Sequence, residues 1–453
     1  MRTNFSQAQL ANPEIAEANS IIETCVHYGF CTNTCPTYVL TRDENDSPRG
    51  RIDLIRAMLE KGGPPDPKTV YHLDRCLSCL SCMTTCAVKV DYVHLIDHAR
   101  VHIERHFRRP WLDRLLRLTI AKLLTHPRLF LLALRAGSAA KPLRSGLPGI
   151  FRTMIDMIPD RRSLRPEILA PQIFKAERSS RRRVVLLAGC AQQALDGAIN
   201  GATIRLLTRH RCDVIIAEGA GCCGSLTLHM GREGEAAAAA RANVRAWQRE
   251  LEGEGLHAVV VNASGCGTTV KDYGHLLARD PVYAETAHRL GAMARDVTEI
   301  LNEIGLQAPT GIVPPLRVAY LDPCSMQHGQ RVTHQPRALL RAAGFRVVDV
   351  PEKHFCCGSA GTYNLLQPEM ASALGQRRAA HAMSTKPDVV ATGNIGCIMQ
   401  LRRYLDVPVV HTVELLDWAT GGPRPAAFEN IVFSEKPPET PTQDRSAGEV
   451  GVW

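Results

Sequence analysis

Two cysteine runs stand near the start of the chain: CVHYGFCTNTCP from Cys25 to Pro36, and CLSCLSCMTTCA from Cys76 to Ala87. The second is a complete C-x2-C-x2-C-x3-C array, the spacing that wraps a cubane [4Fe–4S] cluster. The first repeats the array with Tyr28 in place of its second cysteine. Thiolates two residues apart each reach one corner of the cube, while the fourth cysteine of each run turns away to the neighbouring cluster. On that rule Cys35, Cys76, Cys79 and Cys82 hold one cluster, and Cys25, Cys31 and Cys86 hold the other. With three cysteines, this second site is expected to carry a [3Fe–4S] cluster or a [4Fe–4S] cluster with one labile iron. Ligation by the Tyr28 phenolate or by His27 is the less favoured alternative. Pro36 follows Cys35 as the pattern asks, whereas Ala87 stands where the second proline would be. A paired array of this kind moves electrons one at a time.

Structural zinc fits these runs poorly, because closed tetrahedral sites use two separated C-x2-C pairs or mix cysteine with histidine. Disulfides fit less well, since tight runs and adjacent cysteines give poor bridging geometry. Sixteen cysteines with no secretory leader point to a reducing compartment and to metal chemistry. The 453 residues suffice for two or three domains, and 45% hydrophobic and 22% charged residues are ordinary for a soluble globular chain. The net charge of +9 is modest and dispersed. It fits docking on an acidic partner or anionic lipid, and without a basic stripe interleaved with aromatics it argues against nucleic acid. No run of eighteen apolar residues is present, so no membrane-spanning helix is expected. There is no G-x-G-x-x-G after a strand, no P-loop and no nucleophile–base constellation. No flavin or nucleotide is therefore expected on this chain, and no acid–base catalytic residue.

The surrounding elements must bring the two runs side by side. Residues 1–110 read as a helical module: NPEIAEANSIIET leads into the first run, a helix from Ser47 to Gly63 bridges the two, and VHLIDHARVHIERHF continues after Cys86. Residues 111–183 read as a connector whose leucine-rich stretch 111–135, edged by arginines, is broken at Pro127. Such a helix can lie in a membrane interface or pack against the protein or a partner; packing is favoured. The remainder is a duplication. Cys190 is followed after 31 residues by Cys222-Cys223-Gly224, and Cys324 after 31 residues by Cys356-Cys357-Gly358, an offset of 134 at both points. Cys266 and Cys397 close the two halves, residues 184–310 and 311–420.

In the first half RRVVLLAGC, CDVIIAEGAGCC and HAVVVNASGC each run a short β-rich segment into cysteine. LRVAYLDPC, FRVVDVPEKHFCC and PDVVATGNIGC do so in the second. Strand–helix alternation predicts α/β units with largely parallel sheets, whose ligands sit beyond the carboxyl ends of the strands. The fold class is thus α plus α/β: a helical two-cluster module followed by two duplicated α/β cysteine-rich domains. One half can gather Cys190, Cys222, Cys223 and Cys266, the other Cys324, Cys356, Cys357 and Cys397, and a further cluster is expected in at least one. Cys212 is expected to pack at the start of its strand, and His328, His354 and His411 to be hydrogen-bonded rather than ligating. Residues 421–453, proline-rich and without periodicity, read as a disordered tail.

The segments CVHYGFCTNTCPTY, SPRGRIDLI, HLDRCLSCLSCMTTC, the two CCG segments, and FCCGSAGTYNL with TGNIGC carry a resemblance. From about Ile21 to about Trp418 the chain resembles the iron–sulfur subunits of glycolate oxidases (glycolate dehydrogenases), and its N-terminal module a ferredoxin. Its halves are similar to the CCG domains of heterodisulfide-reductase-like proteins. The resemblance implies a subunit that does not act alone. It takes electrons from FAD-binding flavoprotein subunits that oxidise glycolate to glyoxylate, and passes them towards a quinone or another membrane acceptor. The alternatives are the iron–sulfur subunit of another hydroxy-acid or glycerol-3-phosphate dehydrogenase, or a non-catalytic scaffold stabilised by metal. Some relatives end each CCG domain in C-x2-C and hold a noncubane cluster; Thr269 and Gln400 occupy that last position here. The expected location is cytoplasmic, with peripheral attachment at the cytoplasmic face of the inner membrane as the alternative.

Overall fold

The helices Pro13–Thr24, Pro48–Lys61 and Pro67–Asp74 each begin on a polar cap followed by proline. The Asn12, Ser47 and Asp66 side chains accept from the N–H groups of Glu14, Gly50 and Lys68. Such a cap satisfies a donor the helix leaves orphaned, and proline in the first turn forfeits no bond. In the computed structural model, which describes residues 1–142, 155, 158, 164–310 and 313–433, these helices and Tyr92–His106 enclose the core of the N-terminal module. That core contains Ile22, Ile55, Leu73, Leu95 and Ile96, and Cys25, Cys76 and Cys82 belong to it. The packing that stabilises the module therefore also fixes the thiols. A Cβ at Gly50 would lie 2.0 Å from the Glu44 carbonyl oxygen, so the bridging helix can pack on the Glu44–Asp46 turn only with glycine there.

Trp111–Thr125 and Pro127–Ala140 form a helical hairpin, divided at the expected proline. It buries Ile120, Ala121 and Leu134 but leaves Trp111, Leu112, Leu115, Leu129 and Leu132 exposed, so packing within the chain accounts for one face only. Apart from residues 155 and 158, the connector from 143 to 163 lies outside the described residues. Among the described residues no helix is long and apolar enough to cross a membrane.

The first half is a five-stranded sheet of β1 (Gln172–Phe174), β2 (Arg182–Leu187), β3 (Cys212–Ile216), β4 (Ala258–Val261) and β5 (Ala294–Asp296). Its order is β1-β3-β2-β4-β5, with β1 antiparallel to β3 and the rest parallel. β1 falls within the stretch read as connector, so the sheet starts earlier than expected. The second half is a four-stranded parallel sheet of β6 (Arg317–Tyr320), β7 (Arg346–Asp349), β8 (Val389–Thr392) and β9 (Val409–His411), in the order β7-β6-β8-β9. Alternation along β2 splits its side chains between two cores. Val184 and Leu186 join the core shared with the second half, while Val185 and Leu187 face Trp247 and Tyr273.

The chain does not leave the fold at residue 421, as its composition suggested. Ala426–Phe428 forms a short 3-10 turn, and the fully buried Phe428 ring sits between Trp418 and Phe433 at centroid distances of 5.5 and 5.0 Å. Aromatic burial outweighs the proline-rich composition here. Residues 434–453 lie outside the described residues.

Candidate iron–sulfur centres

Cys35, Cys76, Cys79 and Cys82 are all buried and line one cavity, together with Thr37, Arg51, Leu77 and Tyr92. The loop that presents three of them alternates cysteine with left-handed residues, Ser78 at φ +49° and Leu80 at φ +62°. Non-glycine residues are seldom found there, and this local cost lets successive thiols face one space. Burial pushes the Cys79 and Cys82 thiols well above their ordinary pKa, reinforced by neighbouring thiols. As free groups they are neutral, and a bound cationic core is what makes such groups thiolates.

Around this inner set stands a polar shell. Thr37 Oγ1 is 3.2 Å from Cys35 Sγ, Arg51 Nη1 3.9 Å from the same sulfur, and the Tyr92 hydroxyl donates to Cys76 Sγ at 3.7 Å. Arg51 is fully buried, held by Thr37 Oγ1 at 3.0 Å, the His72 carbonyl at 2.9 Å and Asp46 at 3.3 Å. Burial opposes its charge, but Cys76, Tyr92, Cys35 and Asp46 more than compensate and hold it protonated.

Cys25, Cys31 and Cys86 form an outer set. Burial raises Cys31 to about 11, and Cys25, Cys35 and Cys86 add to the rise. Cys86 Sγ accepts from the Val90 N–H at 3.4 Å. Tyr28 is 69% exposed and His27 contacts the Met1 sulfur, so neither is a buried fourth member of this set. Val26 and Phe30 are exposed beside them.

In the duplicated halves each cysteine follows the carboxyl end of a strand. Cys190, Cys222-Cys223 and Cys266 follow β2, β3 and β4; Cys324, Cys356-Cys357 and Cys397 follow β6, β7 and β8. The thiols of each half touch in series. Cys222 contacts Cys190 and Cys223, and Cys223 contacts Cys266. Cys324 Sγ is 3.7 Å from Cys356 Sγ, Cys356 contacts Cys357, and Cys357 contacts Cys397. Contact with Cys190 and Cys223 lowers Cys222, and contact with Cys356 and Cys397 lowers Cys357. Gly224 and Gly358 adopt φ of +87° and +85°, and a Cβ at either would press on a helix backbone, at Ala236 or Ala371.

Among the described residues no three cysteine sulfurs lie within 4.8 Å of one another. A single zinc ion, with Zn–S bonds of about 2.3 Å, draws its ligands closer than that. A triad of thiols as tight as a lone tetrahedral ion needs is therefore not preformed among the described residues.

The family model of the 4Fe-4S dicluster domain matches residues 24–90, and that of the cysteine-rich CCG domain matches residues 184–271 and 318–402. The glycolate oxidase iron–sulfur subunit of Escherichia coli (strain K12) is 38% identical over 92% of this chain and 99% of its own length. The chain belongs to the glycolate oxidase iron–sulfur subunit family. A probable glycolate oxidase iron–sulfur subunit of Bacillus subtilis (strain 168) is 30% identical over 88% of this chain and 94% of its own. Lactate utilization protein A of Bacillus licheniformis is 27% identical over 52% of this chain and 99% of its own. A hypothetical protein from Helicobacter pylori, 9% identical with a TM-score of 0.52 over 92% of this chain and 74% of its own, shares the fold.

Family membership establishes this chain as part of an iron–sulfur oxidoreductase, and the shell residues are what sequence reading missed. Arg51 lies in SPRGRIDLI, a segment that carries the resemblance, yet only folding shows it beside Cys35. Asn243 bridges the Cys222 carbonyl and the Tyr273 hydroxyl, each at 2.9 Å, and clamps the first CC turn. Cys212 is buried at the start of β3. His328 bonds Thr84 Oγ1 and the His354 carbonyl, and His411 bonds the Asn262 carbonyl. The His354 ring packs tilted against Phe355, with centroids 4.3 Å apart.

A cluster of Glu17, His94 and His275 joins the helical module to the first half. His94 lies between Asp91 at 2.7 Å and Asp272 at 3.1 Å; burial opposes its charge, but these carboxylates raise it to about 10. The His94 and His275 rings stack face to face at 3.6 Å, so their lone pairs do not converge. This is an ion-pair clamp between modules.

Proposed function

We propose that the chain is the iron–sulfur electron-transfer subunit of a glycolate-oxidising complex. Hydride removal from a 2-hydroxy acid needs a flavin or nicotinamide, and the sequence carries neither fingerprint. An FAD-binding partner therefore converts glycolate to glyoxylate, and the two electrons pass one at a time through this chain towards a membrane quinone. Bound clusters supply the one-electron chemistry. The protein's part is to hold them and set their potentials through ligand identity, hydrogen bonds to sulfur, charge and burial. Cys35, Cys76, Cys79 and Cys82 hold a [4Fe–4S] cluster. Cys25, Cys31 and Cys86 hold a [3Fe–4S] cluster or a [4Fe–4S] cluster with a labile iron. The chain works in the cytoplasm, reaching the inner membrane through its partners.

The observation that carries this reading is the buried cavity lined by four cysteines from both runs, with three more beside it. The complex purified anaerobically with its flavoprotein partner tests it. Glycolate is expected to bleach the iron–sulfur absorbance as dithionite does. Bleaching by dithionite but not glycolate, with lactate or glycerol 3-phosphate effective instead, would transfer the chain to another dehydrogenase.

A further inference from the structure

We infer that electrons leave the two-cluster module at Cys79 and enter the second cysteine-rich half, at Cys324, Cys356, Cys357 and Cys397, while the matching thiols of the first half stand off this route. The inference rests on the electron-transfer reading above and gives it a direction.

The two halves meet the helical module differently. Cys79 and Cys356 belong to one buried apolar cluster with Leu77 and Tyr363, and Cys324 packs against it. The contact is pinned on both sides. Thr84, two residues after Cys82, lies 2.8 Å from His328, four after Cys324, and the Tyr363 hydroxyl donates to the Arg75 carbonyl at 3.2 Å. In the first half Cys223 and Cys266 belong to a core that contains no residue of the helical module. This half joins the module through the His94 clamp, through ion pairs such as Arg105 with Glu233 and His229 with Asp97, and through the close approach of Gly231 to the Arg100 carbonyl.

The halves also differ in charge. Gly224 presses on Ala236, and Gly358 on Ala371; counting along the two helices from these contacts, Asn243 of the first half corresponds to Arg378 of the second. Arg378 is 3% exposed, donates to the Glu352 carbonyl at 2.8 Å, and lies within the electrostatic reach of the Asp322 carboxylate and of Cys357, Cys397 and Cys356. Reduction adds negative charge, which a buried guanidinium favours and a neutral amide does not. The second half is thus both the nearer site and the better electron sink. Each transfer oxidises the inner site by one electron and reduces the second-half site by one, with no bond or proton exchanged.

Stepwise anaerobic reduction of the cluster-loaded full chain, followed by EPR and iron quantification, tests the inference. The inner-site signal is expected to be split by a spin on the second half. Cys357→Ser should abolish the splitting and Cys223→Ser, the matching change in the first half, should leave it. Arg378→Asn should retain iron and lower the midpoint potential of the second-half site. Should the first pair fail to fold, Cys397→Ser and Cys266→Ser give the same contrast. Splitting that survives Cys357→Ser but is lost in Cys223→Ser overturns the inference, as does an unsplit inner signal in protein with more iron than two clusters need. Zinc, or iron that no reductant changes, would instead sink the electron-transfer reading together with it.

Discussion

The inner and outer cysteine sets are built from the same two runs, yet the fold treats them unequally. Cys35, Cys76, Cys79 and Cys82 are buried on a shell of Thr37, Arg51 and Tyr92. Of the other set Cys31 and Cys86 are only half-buried, although Cys25 is as buried as the inner four, and Tyr28 is exposed at the position where a fourth cysteine belongs in the array. On the proposed function the inner site offers four thiols sealed from solvent, and the buried Arg51 cation beside Cys35 favours reduction against the cost of that burial. The outer set has exposed Val26, Tyr28 and Phe30 beside it, and on the proposed function that edge is where a partner's electrons arrive. Cluster potential depends on both ligand count and solvent access, so one substitution in a repeated motif suffices to make two sites of different character.

The largest effect should come from breaking the better-made site. Cys76→Ser is expected to remove the reducible four-iron EPR signal and about one cluster's worth of iron, with the outer signal retained. Loss of both signals together would mean that the sets are not independent. Next comes Tyr28→Cys, which restores the array. An oxidised three-iron signal should give way to a second reducible four-iron signal, and its persistence unchanged would show that position 28 does not face the cluster. Arg51→Met is expected to lower the inner midpoint potential and weaken cluster retention about tenfold, the lower end for an outer-shell partner, without touching the outer site. The smallest effect is expected of Tyr92→Phe, which removes one hydroxyl from Cys76 Sγ. It should cost about 1 kcal/mol in denaturant unfolding and lower the inner potential less than Arg51→Met; an equal shift in the outer potential would contradict the separation of the sites.

Much of this architecture was legible because cysteine spacing and the 134-residue offset are properties of the chain itself. Strands β2, β3 and β4, with β6, β7 and β8, were legible too, since each is an apolar run ending near cysteine. The remaining edge strands were not. β5 is Ala294-Arg295-Asp296 and β9 only Val409-Val410-His411, too short for any periodicity to appear. Phe428 hid in a proline-rich stretch because composition does not report which aromatic finds a pocket. Arg51 and Arg378 were missed for a related reason: a buried cation reads as a surface one until folding shows the thiols around it.

EPR with iron and sulfide quantification on the anaerobically purified chain tests the central claim most directly. An oxidised three-iron signal beside a four-iron signal that appears on reduction is the predicted result, with iron beyond those two clusters belonging to the cysteine-rich halves. Zinc in the cysteine sets, or iron whose redox state never changes, would contradict it.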